Sequence, residues 1–240
     1  PDIELVDLKR AYKTKKMQSY FSKHLIEAIE DALVMDRQVI LFQNRRGFSP
    51  VITCELCGWK CECKNCDTTL TVHKYFDEAR CHYCGYRVAL PKVCPACGNE
   101  HLDQVGFGTE KIEEELAKIL PEARIARMDY DTTKTKNAYE KIIYQFTTHQ
   151  LDILVGTQMV TKGLDFGKVS VVGILNADKL LAFPDFRSYE RAFQLMIQVS
   201  GRAGRRKTKG RVIIQTFSPI HRIFTDVINS DFQQFYEVVL

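Results

Sequence analysis

The chain has 240 residues, 45% hydrophobic and 27% charged, with a net charge of +4. That apolar share is ordinary for a folded protein and excludes disorder as the main state. The longest apolar runs are about four residues, as at Val39-Ile40-Leu41-Phe42, far short of the roughly 20 that span a bilayer, and the small positive charge leans only mildly toward polyanions.

The start, Pro1-Asp2-Ile3-Glu4-Leu5, has neither a basic beginning nor a long apolar stretch, which argues against a secretory signal. It also lacks an initiator Met, so the chain is expected to derive from something longer. Residues 1–16 read as a linker, because five of the eight residues from Lys9 to Lys16 are basic; a DNA contact is the alternative. Apolar positions at Phe21, Leu25, Ile29 and Leu33 predict a helix over 17–34. Val39 to Phe42, bounded by Asp36 and by Asn44-Arg45-Arg46-Gly47, reads as a buried strand. A cysteine-rich stretch follows.

Beyond it, Thr109 opens a helix to about Leu120, with Glu110 and Glu113 in its first turn and Pro121 ending it. Strands are expected at 123–128, 151–155, 169–175 and 211–217, and helices at 137–148 and 188–200. Alternating strands and helices with continuous apolar strands predict an α/β fold with a parallel sheet covered on both faces. Ligands in such folds sit beyond the carboxyl ends of the strands. The expected organisation is a lobe begun by residues 1–50, interrupted by an insertion at 51–104, and resumed over 105–230. Residues 231–240 would begin a further domain.

All nine cysteines lie between Cys54 and Cys97. A secreted disulfide scaffold spreads its cysteines along a short chain; this crowding points to metal ligation in a reducing cytoplasm. Eight of them form four C-x2-C pairs: Cys54 and Cys57, Cys63 and Cys66, Cys81 and Cys84, Cys94 and Cys97. Each pair lets two thiolates grip one ion from a tight turn, and a tetrahedral ion takes two pairs. Three pairs are followed by glycine (Gly58, Gly85, Gly98), which suits a positive φ. The arithmetic gives two structural Zn²⁺ sites with Cys61 over. Spacing leaves three pairings open. The five residues between the first two pairs make it awkward for them to share an ion, which favours nesting: Cys54, Cys57, Cys94 and Cys97 outside, Cys63, Cys66, Cys81 and Cys84 inside. Trp59, Tyr75, Phe76, Tyr83 and Tyr86 interleave with basic residues in this window. They suit either stacking on single-stranded nucleic acid or a small core. Six basic residues against five acidic ones between 54 and 97 make no strong electrostatic funnel.

On a helical wheel over 189–205, Arg191, Gln194, Gln198, Arg202 and Arg205 share one arc, with Tyr189, Phe193, Met196, Ile197 and Val199 outside it. A row of Gln and Arg can reach phosphate oxygens with charge-assisted contacts. Gln198-x2-Gly201-Arg202-x-Gly204-Arg205 resembles motif VI of superfamily 2 helicases. Thr157 to Phe166, with Gly163-Leu164-Asp165, resembles motif V, Val39 to Gly47 resembles motif IV, and Gly106 to Glu110 resembles the next element of that lobe. Asn44 to Phe48, the eight-cysteine spacing and the stretch Ala177-Asp178-Lys179-Leu180 … Pro184-Asp185-Phe186-Arg187 together resemble the primosomal protein N′ family of bacterial replication-restart helicases.

The resemblance implies the second RecA-like lobe of an ATP-dependent 3′-to-5′ DNA helicase that acts at stalled forks, with a nested double-zinc insertion. It implies ATP-site residues Gly163, Asp165, Arg202 and Arg205, with Arg202, Arg205 and Gln198 as the catalytic residues. Thr157, Thr161, Lys162, Arg45 and Arg46 would contact DNA. Implied partners are single-stranded and forked DNA, primosome proteins and single-stranded-DNA-binding protein, in the cytoplasm and without a membrane. The sequence has no G-x4-G-K-[ST] loop and no Asp-Glu-x-His box. ATP and Mg²⁺ are therefore expected only in a full-length enzyme, and these 240 residues alone are expected to be inactive. The competing reading is a non-catalytic zinc-ribbon adaptor on a RecA-like lobe. Asp178, Asp185 and Arg187 receive no role from sequence.

Overall fold

The structure, a computed structural model, describes residues 1–43, 51–54, 56–73, 77–81, 83–100, 102–105, 109–129, 132–133, 135–161, 166–181, 188–204 and 209–229. Its first elements are β1 (Asp2–Asp7), α1 (Leu8–Lys13), β2 (Met17–Gln18), β3 (Phe21–Ser22), α2 (Lys23–Val34) and β4 (Gln38–Phe42). The insertion carries β5 (Val51–Cys54), β6 (Thr71–His73), β7 (Glu78–Arg80), β8 (Arg87–Ala89) and β9 (Leu102–Val105). Then come α3 (Thr109–Ile119), β10 (Ile125–Met128), α4 (Lys136–Thr147), β11 (Ile153–Gly156), a 3-10 turn (Gln158–Thr161), β12 (Val169–Ile174), α5 (Asp178–Leu181), α6 (Ser188–Ser200), β13 (Arg211–Thr216) and α7 (Arg222–Asn229).

Six strands form one parallel sheet in the order β1-β13-β12-β4-β11-β10. The central strands carry continuous apolar runs because both faces are covered. Side chains alternate across the pleat. Ile40, Phe42, Leu154, Val212 and Ile214 join one core with Phe146, Phe166, Phe193 and Phe224. Val39, Leu41, Ile153, Val155 and Ile213 join the other with Phe21, Leu25, Ile29, Ile112 and Leu116. Gly173 lets α2 lie close, since a Cβ there would stand 2.7 Å from Leu41 Cδ2 and 3.0 Å from Leu25 Cδ1.

Two expectations are corrected. Residues 1–16 are not a linker. Asp2–Asp7 pairs in parallel with β13 along its whole length, and α1 buries Leu8 and Ala11. The basic residues of α1, Lys9, Arg10 and Lys13, lie on its solvent side. Nor does a helix run over 17–34. Met17–Ser22 is a tight hairpin with Ser19 at φ 54, and Ser22 then caps α2 by accepting from the Leu25 N–H at 3.2 Å. The helix α7 and the short α5 were not expected.

The insertion leaves and rejoins the lobe through an antiparallel stem, Val51 opposite Val105 to Cys54 opposite Leu102. Beyond it, β6, β7 and β8 form a three-stranded antiparallel sheet. Ile52, Cys61, Leu70, Val72 and Ala79 make its core, with Trp59 and Tyr86 packed against them. Those two aromatics therefore serve as a small core, whereas Tyr83 is 68% exposed. Tyr75 and Phe76 lie outside the described residues.

Candidate metal centres and helicase-motif segments

The four C-x2-C pairs close in the nested way. The sulfurs of Cys54, Cys57, Cys94 and Cys97 lie within 4.8 Å of one another, as do those of Cys63, Cys66, Cys81 and Cys84. Closest approaches are 3.5 Å for Cys54 to Cys97, 3.7 Å for Cys57 to Cys94 and 3.5 Å for Cys63 to Cys84. A tetrahedral ion with Zn–S bonds of about 2.3 Å needs sulfurs about 3.8 Å apart. The spacing suits an ion between the sulfurs and is far too long for a disulfide of about 2.05 Å.

Local turns build these grips. Gly58, Gly85 and Gly98 sit at φ 75, 75 and 74. Their N–H groups donate to the carbonyls of Cys54, Cys81 and Cys94 at 2.9, 3.0 and 2.8 Å. The fourth pair lacks the glycine; there the Asn65 N–H donates to Cys63 Sγ at 3.4 Å and Cys63 N–H to the Thr68 carbonyl at 2.8 Å.

The thiols are electrostatically crowded. Burial first, then neighbouring thiols, push Cys57 up to about 12. Hydrogen bonding with Cys84, then burial, push Cys66 up to about 12. Cys84 falls to about 6, chiefly because the Tyr86 N–H donates to it. Burial opposes ionisation of Cys54, yet the Cys57 N–H, the Asn99 side chain and the Leu56 N–H together bring it to about 7. Each cluster thus favours one thiolate and resists several, and a dication relieves that resistance. The donor set and geometry are compatible with two zinc ions. Cys61 lies outside both clusters; it is 4% exposed in the insertion core, and burial raises its thiol.

Thr157, which opens the motif V-like segment, and Gly204, near the end of the motif VI-like segment, lie at different edges of the sheet. Thr157, 9% exposed, follows β11 at its carboxyl end. Val160 and Phe166 are buried in the core that holds Phe193 and Met196 of α6. Val169 is the first residue of β12, at its amino end. Helix α6 runs back against the strands. Its end is tied to the same amino edge by Gly204, whose N–H donates to the Val169 carbonyl at 3.0 Å.

The end of the motif VI-like segment thus lies at the amino edge, not beyond the carboxyl ends where ligands of such folds were expected. A further correction concerns the helical wheel over 189–205. The α-helix stops at Ser200, and Gly204 is left-handed at φ 72. Gln198 is exposed and Arg202 half-buried beyond that end. Tyr189, assigned to the apolar side, is 44% exposed and stacks on His221 with centroids 5.3 Å apart. Arg45, Arg46, Lys162, Gly163, Asp165, Asp185, Arg187 and Arg205 lie outside the described residues, as does the side chain of Thr161.

Two buried polar residues went unassigned in the sequence. Asp178, 4% exposed, accepts from the Thr216 hydroxyl at 2.9 Å and the Phe217 N–H at 2.8 Å. Gln215 accepts from the Ser22 N–H and donates to the carbonyls of Tyr20 and Leu175. A lone Gln ending the apolar run Val212-Ile213-Ile214 was the available signal.

The model of the helicase conserved C-terminal domain matches residues 103–207, and that of the PriA DNA helicase Cys-rich region matches 63–88. The replication restart protein PriA of Bacillus subtilis is 45% identical over 237 residues. The chain belongs to the PriA family. The match covers 99% of this chain and 29% of that relative. PriA of Synechocystis is 43% identical, over 98% of the chain and 29% of the relative. The chain thus spans about 29% of the length of these PriA proteins. A structure of RecG bound to a three-way DNA junction superposes with a TM-score of 0.51 at 13% identity, over 99% of this chain and 21% of RecG. At that identity the likeness shows the fold, a RecA-like helicase lobe. Among the described residues, no helix of the PriA segment is long and apolar enough to cross a membrane.

Proposed function

We propose that this chain is the second lobe of an ATP-dependent 3′-to-5′ DNA helicase of replication restart. The observation that carries this reading is the pair of nested four-cysteine clusters set into a lobe with motif V-like and motif VI-like segments. In the full-length protein Gly163, Asp165, Arg202 and Arg205 face ATP and Mg²⁺ bound chiefly by another lobe, with Gln198 beside the arginines. A guanidinium here steadies the charge that builds on the transferred phosphoryl group. Thr157, Thr161, Lys162, Arg45 and Arg46 contact the DNA backbone. The separation of Thr157 and Arg202 to opposite edges of the sheet supports giving them different ligands. Two Zn²⁺ ions hold the insertion, which meets single-stranded or forked DNA, primosome proteins or single-stranded-DNA-binding protein in the bacterial cytoplasm. The 240 residues alone neither hydrolyse ATP nor unwind DNA.

The test is DNA-stimulated ATP hydrolysis by the full-length protein. Arg202→Ala should lower its turnover by roughly 10³–10⁵ while leaving zinc content unchanged. Unchanged turnover would favour a zinc-ribbon adaptor on a non-catalytic lobe.

A further inference from the structure

The three glycine knuckles share one backbone shape but not one environment. A Cβ on Gly85 or Gly98 would meet nothing within 4 Å. A Cβ on Gly58 would stand 2.8 Å from both Cγ and Cδ1 of Phe217 and 3.0 Å from its Cβ. Phe217 belongs to the lobe and directly follows β13. Gly58 follows the Cys54 and Cys57 grip of the outer cluster.

Phe217 is itself held. Its N–H donates to Asp178 at 2.8 Å, and the same carboxylate oxygen accepts from the Thr216 hydroxyl at 2.9 Å. The Thr216 hydroxyl oxygen in turn accepts from the Ser218 N–H at 3.0 Å. Tyr12 of α1 stacks on the other part of this seat, with centroids 6.1 Å apart and planes 7° apart. The Ala177 N–H, just before α5, donates to the Gln215 carbonyl at 3.0 Å. One buried carboxylate therefore fixes the backbone of the aromatic residue on which the insertion rests.

We propose that Gly58 and Phe217 form the latch that fixes the metal insertion on the lobe, with Asp178 as its positioning residue. The outer cluster then has a task the inner one lacks. The inner cluster closes the three-stranded part of the insertion, while the outer cluster shapes the knuckle that meets the lobe. Only a residue without a side chain fits between Cys57 and Trp59 at this approach. The orientation of the insertion, and of whatever it binds, follows from the Asp178 carboxylate. This rests on the reading that both clusters hold zinc, so zinc content is measured in every sample below.

The experiment is amide hydrogen exchange on the zinc-loaded chain, read at Cys54 and Cys61 in the insertion and at Phe217 and Ser218 in the lobe. Gly85→Ala is the control for backbone strain, since its φ is the same and its surroundings are open. It should affect only its own knuckle. Gly58→Ala should speed exchange at Cys54, Cys61 and Phe217 by roughly tenfold or more, because a local opening now costs less. In a Phe217→Ala background, adding Gly58→Ala should have a much smaller effect than in the parent chain, because both 2.8 Å contacts with the ring are gone and only the 3.0 Å contact with Cβ remains. Asp178→Asn should loosen Cys54 and Cys61 although it touches neither, with zinc near two per chain. The latch is overturned if Gly58→Ala behaves like Gly85→Ala in the parent chain, if Gly58→Ala and Phe217→Ala add, or if Asp178→Asn changes exchange only at 216–218. Loss of zinc from the parent would instead overturn the two-ion reading. A Gly58→Ala chain that fails to fold leaves the Asp178→Asn outcome to decide.

Discussion

Cys54 and Cys97, 43 residues apart in the chain, place their sulfurs 3.5 Å apart. The antiparallel stem of β5 and β9 brings the two ends of the insertion together, so the outermost cysteines meet just beyond it. The insertion has few buried aliphatic residues of its own, and two clusters close what its core does not.

Metal removal should therefore act on the insertion first. Structural zinc contributes apparent binding energies of about 10–16 kcal/mol in small zinc modules. A chelator should release two zinc ions per chain and shift Trp59 fluorescence as the core around Trp59 opens. The far-ultraviolet circular dichroism of the parallel sheet should largely persist. Thiols lose protons on binding zinc, so release should become easier as pH falls. Loss of the whole dichroism signal together with zinc would contradict independent folding of the lobe.

Gln215 joins three parts of the lobe from a position with no solvent access. Gln215→Leu would leave the Ser22 N–H and the carbonyls of Tyr20 and Leu175 without this partner. The expected loss is about 3 kcal/mol, since each stranded buried group costs about 1–3 kcal/mol. The urea unfolding midpoint should fall with the slope unchanged.

Asp36 accepts from Lys168 at 2.9 Å and pairs with His149 at 2.7 Å. Those two partners, Lys168 first, hold its carboxyl down at about 2 against an ordinary 3.8. A depressed carboxyl stabilises the fold above its ordinary value and loses that contribution as pH falls through the depressed one. The stability difference between the parent and Asp36→Asn should be full above 3.8 and vanish as pH falls through about 2. Because Asp36 is exposed, added salt should shrink the difference at neutral pH. Urea titrations across this range check both statements.

Gly98→Ala isolates the backbone requirement of a knuckle. Its φ is 74 and no atom stands within 4 Å of the added Cβ. The cost should be about 1–2 kcal/mol from the left-handed conformation alone. Zinc content should stay at two per chain, with the outer ion lost at a lower chelator concentration. A loss as complete as that caused by Cys97→Ser would show that the glycine does more than turn the chain.

Much of the site was legible because covalent spacing and side-chain period express it directly. Four C-x2-C pairs crowded between Cys54 and Cys97 mark candidate metal grips. The alternation of Val39 and Leu41 against Ile40 and Phe42 assigns faces once a sheet is assumed. Residues 1–16 were harder, since Ile3 and Leu5 gain meaning only beside β13. A strand of mixed composition at a sheet edge carries little period of its own.

The sequence by itself determined which cysteines form the four C-x2-C pairs, that one cysteine is left over, and that the lobe is a parallel α/β sheet. These follow from short-range spacing and period, which the chain cannot hide. Only the tertiary structure decided that the clusters nest, that Arg202 sits at the amino edge while Thr157 sits at the carboxyl edge, and that Asp178 holds Phe217 against Gly58. Those are relations between residues tens to hundreds of positions apart. They are set by which way a helix runs past a sheet and where a buried carboxylate finds its donors, and no local pattern encodes either.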